Sequence, residues 1–172
     1  MGPAGAAPGA VVVLDTENTG RPGEGFVCEL SVIDTAGVIR LDSLVNPGHP
    51  IESAARRCHL TDQMVVGAPA FRQVLSRLLH VTAGAVIAAY NGRAAFHTIL
   101  RETRRAGMDP EHLEDPAGWH CISQARSDWL GHPHHYLPPP VAHRALDRCH
   151  ATLNVLRDIA ADRTTGSTGQ AS

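Results

Sequence analysis

The first strongly patterned stretch of the chain is Val11-Val12-Val13-Leu14-Asp15-Thr16-Glu17-Asn18-Thr19-Gly20. Its four leading apolar residues, three of them β-branched, predict a strand buried on both faces. Two carboxylates follow, two positions apart, so a strand's period of two sets Asp15 and Glu17 on one face and turns Thr16 to the other. Gly20 closes the run in a turn. Phe26–Asp34 and Val38–Val45 read as further strands joined by a hairpin turn at Thr35-Ala36-Gly37. Ile51–Arg57 reads as a short helix. Pro69-Ala70-Phe71 opens a longer one, with Phe71, Val74, Leu75, Leu78 and Leu79 on one face and Ala83-Gly84 ending it. Ala85–Tyr90 is a second buried strand and Asn91–Gly107 a helix. Trp119–Leu130 holds a short strand or a helical turn, and Val141–Asp162 is the closing helix. A meander of three strands followed by helices and buried strands predicts an α/β domain with a mixed central sheet.

With 172 residues the chain is long enough for one domain with its own core, placed here at residues 11–162. Residues 1–10 are rich in Gly, Ala and Pro without a basic segment, which predicts a flexible tail rather than a signal peptide. Residues 163–172, rich in Thr, Gly and Ser, predict a disordered tail. No apolar run reaches membrane-spanning length. Cys28, Cys58, Cys121 and Cys149 are scattered without a CxxC pair, which fits reduced, core-filling thiols in a cytoplasmic protein. The net charge of −2 excludes a global basic field, so any nucleic-acid contact must be a local patch. Every basic residue is arginine. Arg56, Arg57, Arg93, Arg101, Arg104 and Arg105 are candidate phosphate contacts, or else solvated helix faces.

The chemistry starts at the paired acids. Carboxylates at the end of so apolar a strand need a neutralising charge, and a hard divalent cation such as Mg²⁺ takes one or two carboxylates together with substrate oxygens. The plainer alternative is a surface loop whose acids are solvated.

Asp15-Thr16-Glu17-x-x-Gly20 resembles the first motif of the DnaQ-like DEDDh 3′–5′ exonucleases, within the ribonuclease-H-like superfamily. The resemblance runs, with gaps, from about Val11 to about Ala160, and Cys58-His59-Leu60-Thr61-Asp62 is similar to the family's His-Gly-Ile-Thr-Asp segment. It implies a three-layer α/β domain with a mixed central sheet and flanking helices. It also implies hydrolysis of a terminal phosphodiester by two metal ions, held by four acids and served by a histidine. Carried onto this sequence, Asp15 and Glu17 become metal ligands and His143 the general base that takes a proton from the attacking water. Thr16, Asn91 and Arg93 become substrate contacts, and the implied partner is a single-stranded nucleic-acid 3′ end or a nucleotide.

Two of the family's motifs are altered. The second, Asn-x-x-Phe-Asp in the family, falls on Asn91-Gly92-Arg93-Ala94-Ala95-Phe96-His97. Counting from Asn91 puts Ala95 at the acid position, and following Phe96 puts His97 there. No acid occurs between Asp62 and Glu102, so no shift of alignment supplies one. His97 could offer an imidazole to a metal, or be an ordinary partly exposed helix residue. The third motif pairs a histidine with an aspartate five residues on. Here that position is Arg148, while Asp147 stands one residue earlier, rotated by about 100° on a helix and stacked with His143. Arg148 would aim a cation at Asp15 and Glu17, leaving room for one Mg²⁺ or Mn²⁺ rather than two, with Asp147 as a possible third ligand. His132-Pro133-His134-His135 reads as a solvated lid before the closing helix, or as a metal-binding tract. Three functions remain open: an exonuclease whose activity is weak or lost, a non-catalytic nucleic-acid-binding module, or a pocket re-tasked to a small nucleotide or other metabolite.

Overall fold

The computed structural model describes residues 9–20, 24–51, 59–132, 138 and 143–166, with side chains described up to residue 162. The predicted first strand is β1 (Val11–Asn18). It lies at the centre of a five-stranded sheet ordered β3-β2-β1-β4-β5, where β2 is Val27–Asp34, β3 Ile39–Leu44, β4 Val86–Ala89 and β5 Trp119–Cys121. β1, β2 and β3 pair antiparallel through the expected hairpin, and β1, β4 and β5 run parallel. The chain is an α/β protein with a mixed sheet and helices on both sides, as the pattern of strands and helices predicts.

Alternation along β1 sorts its side chains between two cores. Val12 and Leu14 face α2 (Phe71–Thr82), whose Phe71, Val74, Leu75 and Leu78 complete the larger cluster. Leu79, predicted on the same face, is only partly buried at its edge. Val13 faces the other way, towards α5 (Ala145–Gly166), and packs with Ile33, Cys149 and Leu153. By the same alternation Asp15 and Glu17 fall on the α5 side. A one-turn helix, α1 (Asp62–Val65), begins at the Thr61 cap, whose hydroxyl accepts from the Met64 N–H.

Helix α3 (Gly92–Arg105) follows β4 after only two residues, so its first turn sits at the carboxyl end of the parallel strands. Asn91 caps it by accepting from the Ala94 N–H. Gly92 is needed for close approach, since a Cβ there would stand 2.9 Å from the Cys121 backbone of β5. Trp119–Leu130 turns out to hold both readings in succession, β5 and then α4 (Ile122–Trp129).

The tails differ from expectation at their inner edges. Gly9 donates to Gly84 O and Ala10 O accepts from Val86, so main-chain pairing begins before residue 11. Helix α5 continues to Gly166, beyond the expected end at Asp162. Once a helix exists, each added residue gains a hydrogen bond for little further ordering, so even Thr164 and Thr165 are carried along. The short helix expected at Ile51–Arg57 falls, apart from Ile51, outside the described residues. So do Cys58 and most of the His/Pro segment after His132.

Candidate active site

The two carboxylates of β1 lie where their spacing puts them, on the face covered by α5, and both meet Arg148. Its Nε donates to Asp15 Oδ2 at 2.8 Å, and its Nη2 donates to Thr16 O at 2.9 Å and pairs with Glu17 Oε1. Glu17 is 5% exposed and Thr16 9%. One guanidinium thus sits between the buried Glu17 and the partly buried Asp15.

A second pair lies one helical turn back. Arg144 donates through Nε to Glu29 Oε1 at 2.8 Å and also pairs through Nη2. The other Glu29 oxygen accepts the Ala145 N–H at 3.0 Å, capping the start of α5. Glu29 is directly opposite Glu17 across the β1–β2 ladder. Three acids therefore share one patch of the sheet and are answered by two arginines at the start of α5, Arg144 just before the helix and Arg148 in its first turn. The sequence reading overlooked Glu29 and Arg144. The signal was an acid inside the apolar run Val27-Cys28-Glu29-Leu30, which a buried strand tolerates only with a partner.

The electrostatics of the two pairs differ. Burial pushes the Asp15 carboxyl up to about 7, against the pull of Arg148, and the negative charges of Glu17 and Glu29 push the same way. The hydrogen bonds that Arg144 donates to Glu29 raise the guanidinium further. Burial also pushes up the thiol of Cys149, which lies between the strands and donates to Ser31 O.

Beside Asp15 and Arg148 opens a cavity of about 190 Å³ lined by Asp15, Thr16, Asn18, Ala89, Tyr90, Asn91, Ala94, Ala95, Thr98 and Arg148. Asn91 and Thr16 both line the cavity. Of the two candidates for the altered second-motif position, Ala95 lines the cavity, while His97 is exposed with its ring against Phe96. Two residues along a helix turn the side chain by about 200°, which separates them. Asn18, Tyr90 and Thr98 were not foreseen. The Tyr90 hydroxyl donates to Pro138 O and accepts from Arg126, both at 2.9 Å. Asn18 donates to Thr16 Oγ1 at 3.3 Å, and its own Oδ1 is buried without a hydrogen-bond partner among the described residues.

The remaining expected site residues stand elsewhere. Arg93 is exposed and does not line the cavity. Asp147 is exposed as well; its charge bears on Arg144 instead of joining Asp15, because the 100° offset turns it away from the sheet. His143 is exposed just before α5, its ring edge-on to His59 with centroids 5.1 Å apart, and it too is absent from the cavity wall. Arg101 and Arg105 are less free than an exposed face suggests, since both donate to Gly25 O and Arg105 also lies over the Phe26 ring. Arg104 is exposed, and Arg56 and Arg57 lie outside the described residues. Among the described residues no group of three or more His, Cys, Asp or Glu is gathered for a metal. None of the helices is long and apolar enough to cross a membrane.

Comparison with known proteins agrees with this geometry. The family model RNase_T, described as exonuclease, matches residues 12–156. The chain belongs to that exonuclease family. It is 26% identical to the uncharacterised exonuclease CP81 of Escherichia phage 186, over 87% of each protein. Exonuclease X, solved with 5′-overhanging duplex DNA, superimposes with a TM-score of 0.64 at 23% identity, covering 88% of this chain and 92% of that one. The nuclease domain of 3′hExo, a DEDDh family member bound to rAMP, gives 0.65 at 12% identity over 92% and 95%. At these identities the solved structures speak to the fold, which is that of the ribonuclease-H-like exonucleases.

Proposed function

We propose that this is an exonuclease-family domain that binds a nucleic-acid 3′ end or a nucleotide in the cavity beside Asp15, with metal-dependent phosphodiester hydrolysis weak or lost. One observation carries the reading: the guanidinium of Arg148 lies between Asp15 and Glu17. Two-metal hydrolysis needs a cluster of carboxylates to hold two divalent ions about the attacking and leaving oxygens. Here Ala95 faces the cavity where the second-motif acid would stand, and Arg148 brings a positive charge where the last acid would stand. The donor set does not fit a pair of Mg²⁺ or Mn²⁺ ions, and a single ion would have to displace Arg148. His143, exposed and away from the cavity wall, is not in place to take a proton from water there.

The test restores the pattern. Wild-type protein should digest single-stranded DNA weakly or not at all with Mg²⁺ or Mn²⁺. The double variant Ala95→Asp/Arg148→Asp should bind Mn²⁺ in a calorimetric titration and gain 3′–5′ cleavage that Asp15→Ala abolishes. Robust wild-type digestion lost in Asp15→Ala, or a restored variant with neither metal binding nor cleavage, would overturn the reading.

A further inference from the structure

The charges in the cavity say more about its ligand than the family does. Among the described residues lining it, Arg148 is the only cation, and its Nε and Nη2 are committed to Asp15, Glu17 and Thr16 O. Two carboxylates against one guanidinium leave the site short of positive charge. The next cation, Arg126, stands behind Tyr90 and spends Nη1 on the Tyr90 hydroxyl and Pro138 O. A phosphate group brought into this cavity would meet the Asp15 carboxylate, with Arg148, the one cation among the described lining residues, already engaged by Asp15 and Glu17.

The rest of the wall is neutral. Ala94 and Ala95 form an apolar side, while Asn18, Asn91 and Thr98 offer uncharged hydrogen-bonding groups, including the buried Asn18 Oδ1 that still lacks a partner. A volume of about 190 Å³ lies below the roughly 300 Å³ at which drug-sized pockets begin, so it suits one ring system with its substituent. Flat apolar faces and edges rich in amide-like donors and acceptors are the properties of a nucleobase. We infer that the cavity selects the uncharged nucleoside over its phosphorylated form, the reverse of what a metal-loaded phosphodiesterase site favours. This rests on the reading that the cavity takes a nucleic-acid end or nucleotide. It narrows that ligand to a free nucleoside, or to a terminal nucleoside whose phosphate stays outside.

The experiment uses the full chain in EDTA at pH 8, titrated by ligand-observed NMR with each deoxynucleoside and its 5′-monophosphate. At least one nucleoside should bind tenfold or more tightly than its own monophosphate. Ala95→Leu, which fills the cavity, should remove that binding. Should that variant fail to fold, chemical-shift changes in wild type confined to Asn91–Thr98 serve instead. Asp15→Asn removes one negative charge and should narrow the preference at least threefold by admitting the monophosphate. A monophosphate that binds wild type as tightly as the nucleoside overturns the inference and leaves the nucleotide-binding reading standing. If neither binds but a thymidine oligonucleotide does, the inference falls and the functional reading moves to another surface. If none of the three binds, both fall.

Discussion

Arg148, in the first turn of α5, and Arg144, the residue just before that helix, reach the same face of the same sheet, yet they serve their acids differently. Glu29 has an arginine to itself and a backbone N–H besides. Asp15 and Glu17 share one arginine at the rim of an opening. The first arrangement closes its hydrogen-bond and charge requirements and fixes the start of α5 against β2. The second shares one cation between two acids, and burial, with the charges of Glu17 and Glu29 pushing the same way, raises Asp15 to about 7 against the pull of Arg148. A complete pair is architecture; an incomplete one beside a cavity marks the place where a cation would belong.

The difference is open to measurement. The largest effect should come from Arg144→Ala, which leaves Glu29 almost wholly buried with a single N–H for company. Loss of one partner of a buried pair costs about 3–5 kcal/mol, read by urea denaturation at pH 7, and Arg144→Ala/Glu29→Gln should recover part of it. Arg148→Ala should cost less, about 1–3 kcal/mol, because Asp15 relieves the strain by taking up a proton. If the two losses proved equal, the distinction between the pairs would be wrong.

The pH dependence sharpens the same point. Asp15 ionises near 3.8 when unfolded and near 7 when folded, so between these values the folded chain holds the extra proton. Its contribution to stability is therefore present below about pH 4 and lost as pH rises through 7, at a slope of no more than about 1.4 kcal/mol per unit. Asp15→Asn should flatten that decline in urea midpoints measured from pH 4 to pH 8; an unchanged slope would assign it to another group. The smallest effect should be that of metal removal. With Arg148 supplying the cation, EDTA or added Mn²⁺ should leave the wild-type melting temperature within about 1 °C, whereas the Ala95→Asp/Arg148→Asp variant should gain several degrees with Mn²⁺.

Much of this protein is written in local pattern. Four apolar residues followed by Asp15 and Glu17 specify a buried strand with both acids on one side, because side-chain alternation is a property of the strand itself. The hairpin at Thr35-Ala36-Gly37, the stripe from Phe71 to Leu78 and the helix after Asn91 are equally local, and motif order was enough for the family. The identity of the cation was decided in three dimensions. One residue's difference between Asp147 and Arg148 is a turn of about 100°, and only the docking of α5 through Cys149 and Leu153 says which of the two looks at the sheet. Ala95 and His97 were both admissible until β4 and β5 fixed the direction in which α3 leaves the sheet. His143 makes the same point: a motif position gives the residue, but where its exposed ring lies, just before α5 and against His59, depends on where the helix starts. Glu29 and Arg144 are 115 residues apart in the chain. Sequence can show that a buried acid needs a partner, but only the packed fold can supply one from so far away.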